Sequence, residues 1–387
     1  MKITINKSLF IEVVQLASFL VFLVLSILNI SLYKVYFSRF FSIISLVTIV
    51  ICIVGELLKK YNFKSIIGLV STIVLFIISV KVSSGSMQLT LPISFLFIFC
   101  LRNKDFYSIA RNSFFLSLVT LIFIIVSSKI GIIQDFVFMN NGRERHFLGF
   151  TYALYPSTIM ANITVLYAII AQRKSKIINI FILLVMNYWI YSQTDSRFTF
   201  AASVLVIFII IILKYYPNFF EKIKILLFPL IFSFIIAFGI SFYLSKNYDS
   251  TSNWQNSLNN LFSGRLILGH RSLSKYGYNW FGQVVNWTGN AIDSVGRRST
   301  GTYDYVDSMY LQILQRYGVF FTTAVLSILS ITCAKLYKKK EYLLLFMMII
   351  TAFHGIIDDL NLYIFYNSLW FITALTFNDD YELRSGE

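Results

Sequence analysis

Arg265, His270, Arg271 and Lys275 fall within eleven positions of the stretch SGRLILGHRSLSKYGYNWFG at 263–282. Only 13% of the chain is charged, so a cluster this dense needs a cause. Guanidinium is planar, permanently charged and forked, and it matches two oxygens of a phosphate where an ammonium is only a point charge. The arginines therefore point to an anionic, phosphate-bearing ligand. Arg197 in SQTDSRFTF (192–200) and Arg316 in VDSMYLQILQRYGVFF (306–321) belong with them, because a charge at or just inside a membrane span is costly without a partner or a task. Asp195 and Arg197 could also simply pair with each other at a helix start.

Proton chemistry has fewer candidates. Asp307 stands at a span edge ahead of a helix, where a carboxylate can take the proton of an attacking hydroxyl. Burial raises its proton affinity and nearby arginines lower it, and the sequence leaves that balance open. Tyr310 follows by three positions on the same helical face. His354 lies near the end of an apolar run with Asp358 one turn further on, either as a packed bundle residue or as a second acid–base group. Arg143, Arg145 and His146 precede another span and read equally as an acceptor-side wall or a solvated loop. Arginine already supplies positive charge and no DxD triplet occurs, so neither a metal nor another cofactor is expected.

The elements that position these residues are set by composition. A chain of 387 residues that is 57% hydrophobic, with 39 Phe and 24 Tyr, is not a soluble domain. Apolar runs long enough to cross about 30 Å of hydrocarbon recur from end to end. They predict an all-α integral membrane protein of about twelve transmembrane helices, near 9–32, 40–58, 65–81, 88–101, 108–128, 147–171, 177–191, 198–214, 223–245, 309–334, 341–357 and 362–378. The spans 88–101 and 177–191 are short and cross together or not at all. The three cysteines fall inside spans without CxxC spacing, which indicates neither a disulfide framework nor a zinc site.

Lysine and arginine sort by side. With the N-terminus in the cytoplasm, KKYNFK, RNKD, QRKSK and KLYKKK fall at cytoplasmic breaks, as the positive-inside bias requires. Arg39, Arg143, Arg145, Arg197, Arg265, Arg271, Arg297, Arg298 and Arg316 then fall outside, and both termini are cytoplasmic. The formal net charge of +15 reflects lysines near anionic lipid; no ordered basic patch supports nucleic-acid binding.

Three segments follow: helices one to nine over 1–245, one long external loop over 246–308, and helices ten to twelve with a cytoplasmic tail over 309–387. Connections of that length are functional or disordered. This loop carries Trp254, Trp280, Trp287 and several tyrosines, so it is expected to fold onto the bundle, its leucines 261, 266, 268 and 273 spaced as in an amphipathic interfacial helix.

The order of SQTDSRFTF, SGRLILG…YGYNWFGQ and VDSMYLQILQRYGVFF resembles the bacterial O-antigen ligase and polysaccharide polymerase superfamily, most closely the repeat-unit polymerases of O-antigen, capsule and exopolysaccharide assembly. The resemblance implies a glycosyltransferase C-like bundle in the bacterial cytoplasmic membrane. It implies a donor and an acceptor that are both polyprenyl-diphosphate-linked oligosaccharides, metal-free transfer at the outer face, and a flippase and a chain-length regulator as partners. It assigns diphosphate binding to Arg197 and Arg265. From the residues themselves, Arg271 and Arg316 are added as diphosphate candidates, and Tyr310, Arg143 and Arg145 as candidates for contact with the glycan or acceptor. The ligase branch carries histidine where this chain has Asp307. That departure favours a polymerase over a ligase, and the absence of an internal repeat weighs against a transporter of lipid-linked sugars.

Overall fold

The computed structural model describes residues 7–82, 90–140, 143–293, 295–297, 301–378 and 381–383. Helices dominate, and the only sheet among these residues is a hairpin pairing Val137–Asn140 with Arg143–His146. Eight helices are long and apolar enough to cross a membrane: Phe10–Asn29, Lys34–Leu57, Phe63–Val82, Phe106–Lys129, Ile177–Thr194, Arg197–Tyr215, Lys224–Lys246 and Met309–Lys338. Thr90–Cys100, Tyr155–Ala171 and Tyr342–His354 are shorter apolar helices. The protein is an all-α, multi-pass membrane protein.

Several boundaries differ from expectation. The segment predicted at 147–171 becomes helical only at Tyr155, because a turn with Leu148 and Gly149 at positive φ, directly after the hairpin, occupies its start. Ile177–Thr194, read as short, runs for 18 residues, about 27 Å at 1.5 Å per residue. The last predicted span is not an α-helix. It consists of 3₁₀ turns at Leu360–Leu362 and Ser368–Thr376, and at about 2.0 Å per residue the second covers roughly 18 Å. Leu369, Phe371, Ile372, Ala374 and Leu375 are fully buried there, so this segment runs through protein and presents no lipid-facing stripe.

The two ends of the bundle carry different chemistry. At one end lysines close carbonyl groups: Lys59 donates to Cys100 O, Lys214 to Ser175 O at 2.7 Å and Lys335 to Leu375 O at 2.9 Å. The C-terminal segment joins this end, since Phe106 N donates to Glu382 O at 2.8 Å. The opposite end holds the hairpin and the long connection between Lys246 and Met309. That connection is ordered by its own polar residues. Trp287 Nε1 donates to Ser272 Oγ at 2.8 Å, Tyr276 Oη to Asn286 O at 2.9 Å, and Asp304 accepts from Lys275 and from Thr288 N.

Two short helices, Asn253–Leu261 and Arg265–Tyr276, make up its first half. Consecutive positive φ values at Ser263 and Gly264 separate them, so the leucines do not form one continuous stripe. Leu266, Gly269 and Ser272 face the bundle, whereas Leu261 is exposed. The helix therefore docks on protein, and His270 Nδ1 donates to Ser245 O at 3.0 Å across that contact.

Candidate active site

Two helices begin at one cavity, and both begin with arginine. The first arginine helix, Arg197–Tyr215, follows Asp195 in the left-handed region (φ 50) and Ser196. The second, Arg265–Tyr276, follows Ser263 (φ 55) and Gly264 (φ 85). Non-glycine residues at positive φ cost stability and persist where their surroundings hold them. A helix N-terminus already carries about half a positive charge, and a cation placed there is repelled. Nor does a side chain at either N-cap offset it. Ser196, a good capping residue by type, turns its hydroxyl to Ser157 Oγ at 2.6 Å and Thr194 Oγ1 at 2.9 Å instead. Two positive dipole ends, each reinforced by a guanidinium, make a site for an anion.

The cavity measures about 550 Å³ and is lined by Arg145, Arg197, Arg265, Asp307, His354 and Asp358, with Tyr152, Tyr303, Asn260 and Asn290 among the remaining polar residues. Residues predicted from five separate stretches of sequence thus meet in one place. Arg145 comes from the hairpin and is held by donation from Nε to Thr194 O at 2.8 Å. Arg197 is half exposed and pairs with Asp195 at 3.3 Å, so the pairing weighed from the sequence is present within the cavity wall. Arg265 is mostly buried; its Nη1 donates to Phe262 O at 3.1 Å, while its Nε makes no hydrogen bond and stands 3.9 Å from Asp307 Oδ2.

Asp307 accepts from Tyr303 Oη at 2.8 Å. Burial pushes its carboxyl above the usual range, against the opposing pull of the Arg265 charge and the Tyr303 hydrogen bond. On the adjoining wall, the Asn361 amide lies 2.7 Å from His354 Nδ1. With that amide donating, the ring proton sits on Nε2, which faces Asp358 Oδ2 at 3.6 Å. Asp358 also accepts from Leu360 N at 2.9 Å.

The remaining predicted residues are elsewhere. Arg271 is exposed on the outer face of its helix and does not line the cavity. Tyr310 is buried and donates to Ala352 O at 2.7 Å, which makes it a link between helices. Arg316 lies in a buried layer, stacked 4.3 Å from the Trp287 ring and donating to Gln312 at 2.8 Å. Gln312 in turn donates to Asp359, which also accepts from Tyr305 Oη at 2.6 Å. The side chain of Arg143 lies outside the described residues, as does Arg298. Arg297 pairs with Asp293 at 3.1 Å.

Sequence reasoning missed Tyr152, Tyr303, Asn260 and Asn290. Tyrosine and asparagine are common at helix ends and loops, and nothing in their spacing marks them. In the sequence Asp358 stands out only through its place one turn after His354. The glycines of the opening stretch have a backbone reason: Gly282 (φ 80) and Gly318 (φ 88) abut, so a Cβ on either would run into the other strand's backbone. Gln283 N donates to Arg316 O at 2.8 Å, and Val319 N to Asn279 O at 2.9 Å. This contact fixes YGYNWFGQ against the start of the helix Gly318–Lys338.

Among the described residues, no three His, Cys, Asp or Glu side chains are grouped as metal ligands would be. No family model, curated protein or solved structure matches the chain. Fold and site together define a multi-pass helical membrane protein with an arginine-lined polar cavity at one end of its bundle.

Proposed function

We propose that the cavity binds the diphosphate of a polyprenyl-diphosphate-linked oligosaccharide, and that the chain is a membrane glycosyltransferase polymerising lipid-linked repeat units. The observation that carries this reading is the convergence of two arginine-headed helix N-termini on one polar cavity. An acceptor sugar hydroxyl attacks the anomeric carbon as the bond from that carbon to the diphosphate oxygen breaks. Its proton passes to Asp307, and the diphosphate leaves as an anion held by Arg197, Arg265 and Arg145. Prepositioned donors aimed at developing charge in a water-poor site are the largest single contribution in many enzymes. A carboxyl raised by burial is a stronger base than a free carboxylate, as proton uptake from a hydroxyl requires. His354, with its proton directed at Asp358, is the second acid–base group.

The twelve apolar segments are read as twelve passages of a bacterial cytoplasmic membrane. Both termini are then cytoplasmic, and the connection 246–308 is external. Lysines at one end of the bundle and arginines at the other support this orientation. Polymerase is preferred to ligase because Asp307 stands where the ligases of the resembled superfamily carry histidine.

In cells lacking the native protein, Arg197→Ala combined with Arg265→Ala should leave single repeat units on the carrier. Long polymer made by that double variant would end the proposal. Single units held on the cytoplasmic face after deletion would instead assign the protein to transport.

A further inference from the structure

Within the long connection, the stretch Tyr278–Val284 concentrates exposed apolar side chains. Tyr278, Trp280, Phe281 and Val284 are all exposed, Trp280 at 69% and Phe281 at 62%. Four large apolar side chains exposed within seven residues is a patch with an occupant. Their neighbours identify it. The Phe281 ring lies 6.3 Å from Phe320, which is itself exposed in the first turn of the apolar helix Gly318–Lys338. The Tyr278 ring lies 5.7 Å from Phe242, four residues before the end of the span Lys224–Lys246. The patch thus adjoins, ring against ring, two helices long and apolar enough to cross a membrane.

Depth follows from helix length. The span Met309–Lys338 is interrupted at Gly318 (φ 88), its first part, Met309–Tyr317, being buried in protein. The remainder, Gly318–Lys338, has 21 residues, about 31 Å at 1.5 Å per residue, which matches a hydrocarbon core of about 30 Å. Phe320 in its first turn is therefore at the rim, and Phe281 beside it is level with the rim. Lys246, whose ammonium lies 5.5 Å from the Phe242 ring, marks the same level, since a lysine at a span end reaches towards the headgroups. Tryptophan and tyrosine collect at this depth because their rings are apolar with one polar atom.

We infer that Tyr278–Val284 is an interfacial anchor, inserted between phospholipid headgroups and acyl chains, that fastens the long connection to the bilayer. The anchor is continuous with the candidate site. It begins two residues after the second arginine helix ends, and through the Gly282–Gly318 contact it is locked to the chain just beyond Arg316. The bilayer therefore holds the outer end of the element whose inner end carries Arg265. This inference concerns lipid contact alone and stands or falls separately from glycan transfer.

Spin labels on Trp280→Cys, Phe281→Cys and Ser274→Cys in phospholipid nanodiscs, one chain per disc, test it. Cys52, Cys100 and Cys333 are buried, so the introduced thiols take the label. Ser274, exposed on the arginine helix beside Arg271 and Lys275, is the aqueous reference. Labels at 280 and 281 should collide several-fold more with oxygen, and several-fold less with a water-soluble nickel chelate, than the label at 274. Nickel collision at 280 and 281 equal to that at 274 would overturn the anchor. So would protection from both relaxants, which would mean protein covers the patch. Both exposed positions are read independently, so misfolding of one variant leaves the other decisive.

Discussion

Two buried arginine–carboxylate groups occupy opposite ends of the bundle, and they are built in opposite ways. At the lysine end Arg102, fully buried, donates to Glu56 Oε1 and to Phe99 O, and its guanidinium lies 4.0 Å from the Phe99 ring and 5.6 Å from Tyr61. Glu56 also takes Lys59 at 3.1 Å and the Tyr61 hydroxyl at 3.1 Å. Each carboxylate oxygen has a cation, and aromatic faces cover the guanidinium where it lacks acceptors. At the other end Arg265 stands 3.9 Å from Asp307, beyond hydrogen-bonding reach, with both beside a cavity of about 550 Å³. One pair is closed on itself, and the other is held apart with space between its members and further arginines. The same two residue types thus serve the fold in one place and a third party in the other.

That contrast predicts different failures. Glu56→Gln leaves Arg102 charged and unpaired in a closed interior, and breaking such a pair costs about 3–5 kcal/mol. The loss should appear as a lowered midpoint in thermal unfolding in detergent. Asp307→Asn, beside an open cavity, should move that midpoint far less. Equal losses from the two substitutions would erase the distinction between the pairs.

Activity should invert the order. Arg265→Lys keeps a charge but loses the fork, and removal of one preorganised donor elsewhere lowers turnover by about 10²–10³-fold. A loss approaching that range is expected in transfer assays with a synthetic polyprenyl diphosphate donor, with little change in the unfolding midpoint. Comparable loss of both stability and transfer would make Arg265 a structural residue like Arg102.

Tyr303→Phe sharpens the comparison through pH. The Tyr303 hydroxyl donates to Asp307 and so favours the charged carboxylate, opposing the rise caused by burial. A base works only when deprotonated, so transfer rises with pH through the Asp307 transition. Removing the hydroxyl pushes that transition further up, and the acid limb of the rate profile should move to higher pH while the rate above it is largely kept. A limb that stays in place, or moves down, would remove Asp307 as the titrating base.

What the sequence made legible followed from effects that are local in the chain. Long apolar runs declare membrane helices because lipid admits little else, and most lysines fall at the breaks of one side while most arginines fall at the other. Arg197, Arg265, Asp307 and His354 stood out because a charge or imidazole in an apolar chain is costly, and all four line the cavity. Tyr310 was misleading. Helical spacing gave it the face of Asp307, but the chain at 308 is extended and the helix starts only afterwards, so three residues did not amount to one turn. The 3₁₀ path of 368–376 was hidden because an apolar run says how much is buried and not how the backbone coils within protein. Arg271 illustrates the same limit, since local charge density made it a candidate while the direction of its side chain depends on which helix face docks.

That last point gives the smallest effect and a strict control. Arg271 and Arg265 occupy one helix, six positions apart, so at 3.6 residues per turn their side chains point about 120° apart, to different sides. If the cluster acted only as a diffuse positive field drawing anionic lipid, Arg271→Ala would weaken transfer nearly as much as Arg197→Ala and would do so most at low salt. If the cavity geometry governs, Arg271→Ala should change stability and transfer barrier by no more than about 0.5 kcal/mol, roughly twofold in rate, with no salt dependence beyond wild type. Steady-state rates at two ionic strengths decide between them, and a large salt-sensitive loss at Arg271 would replace the arginine clamp with long-range steering.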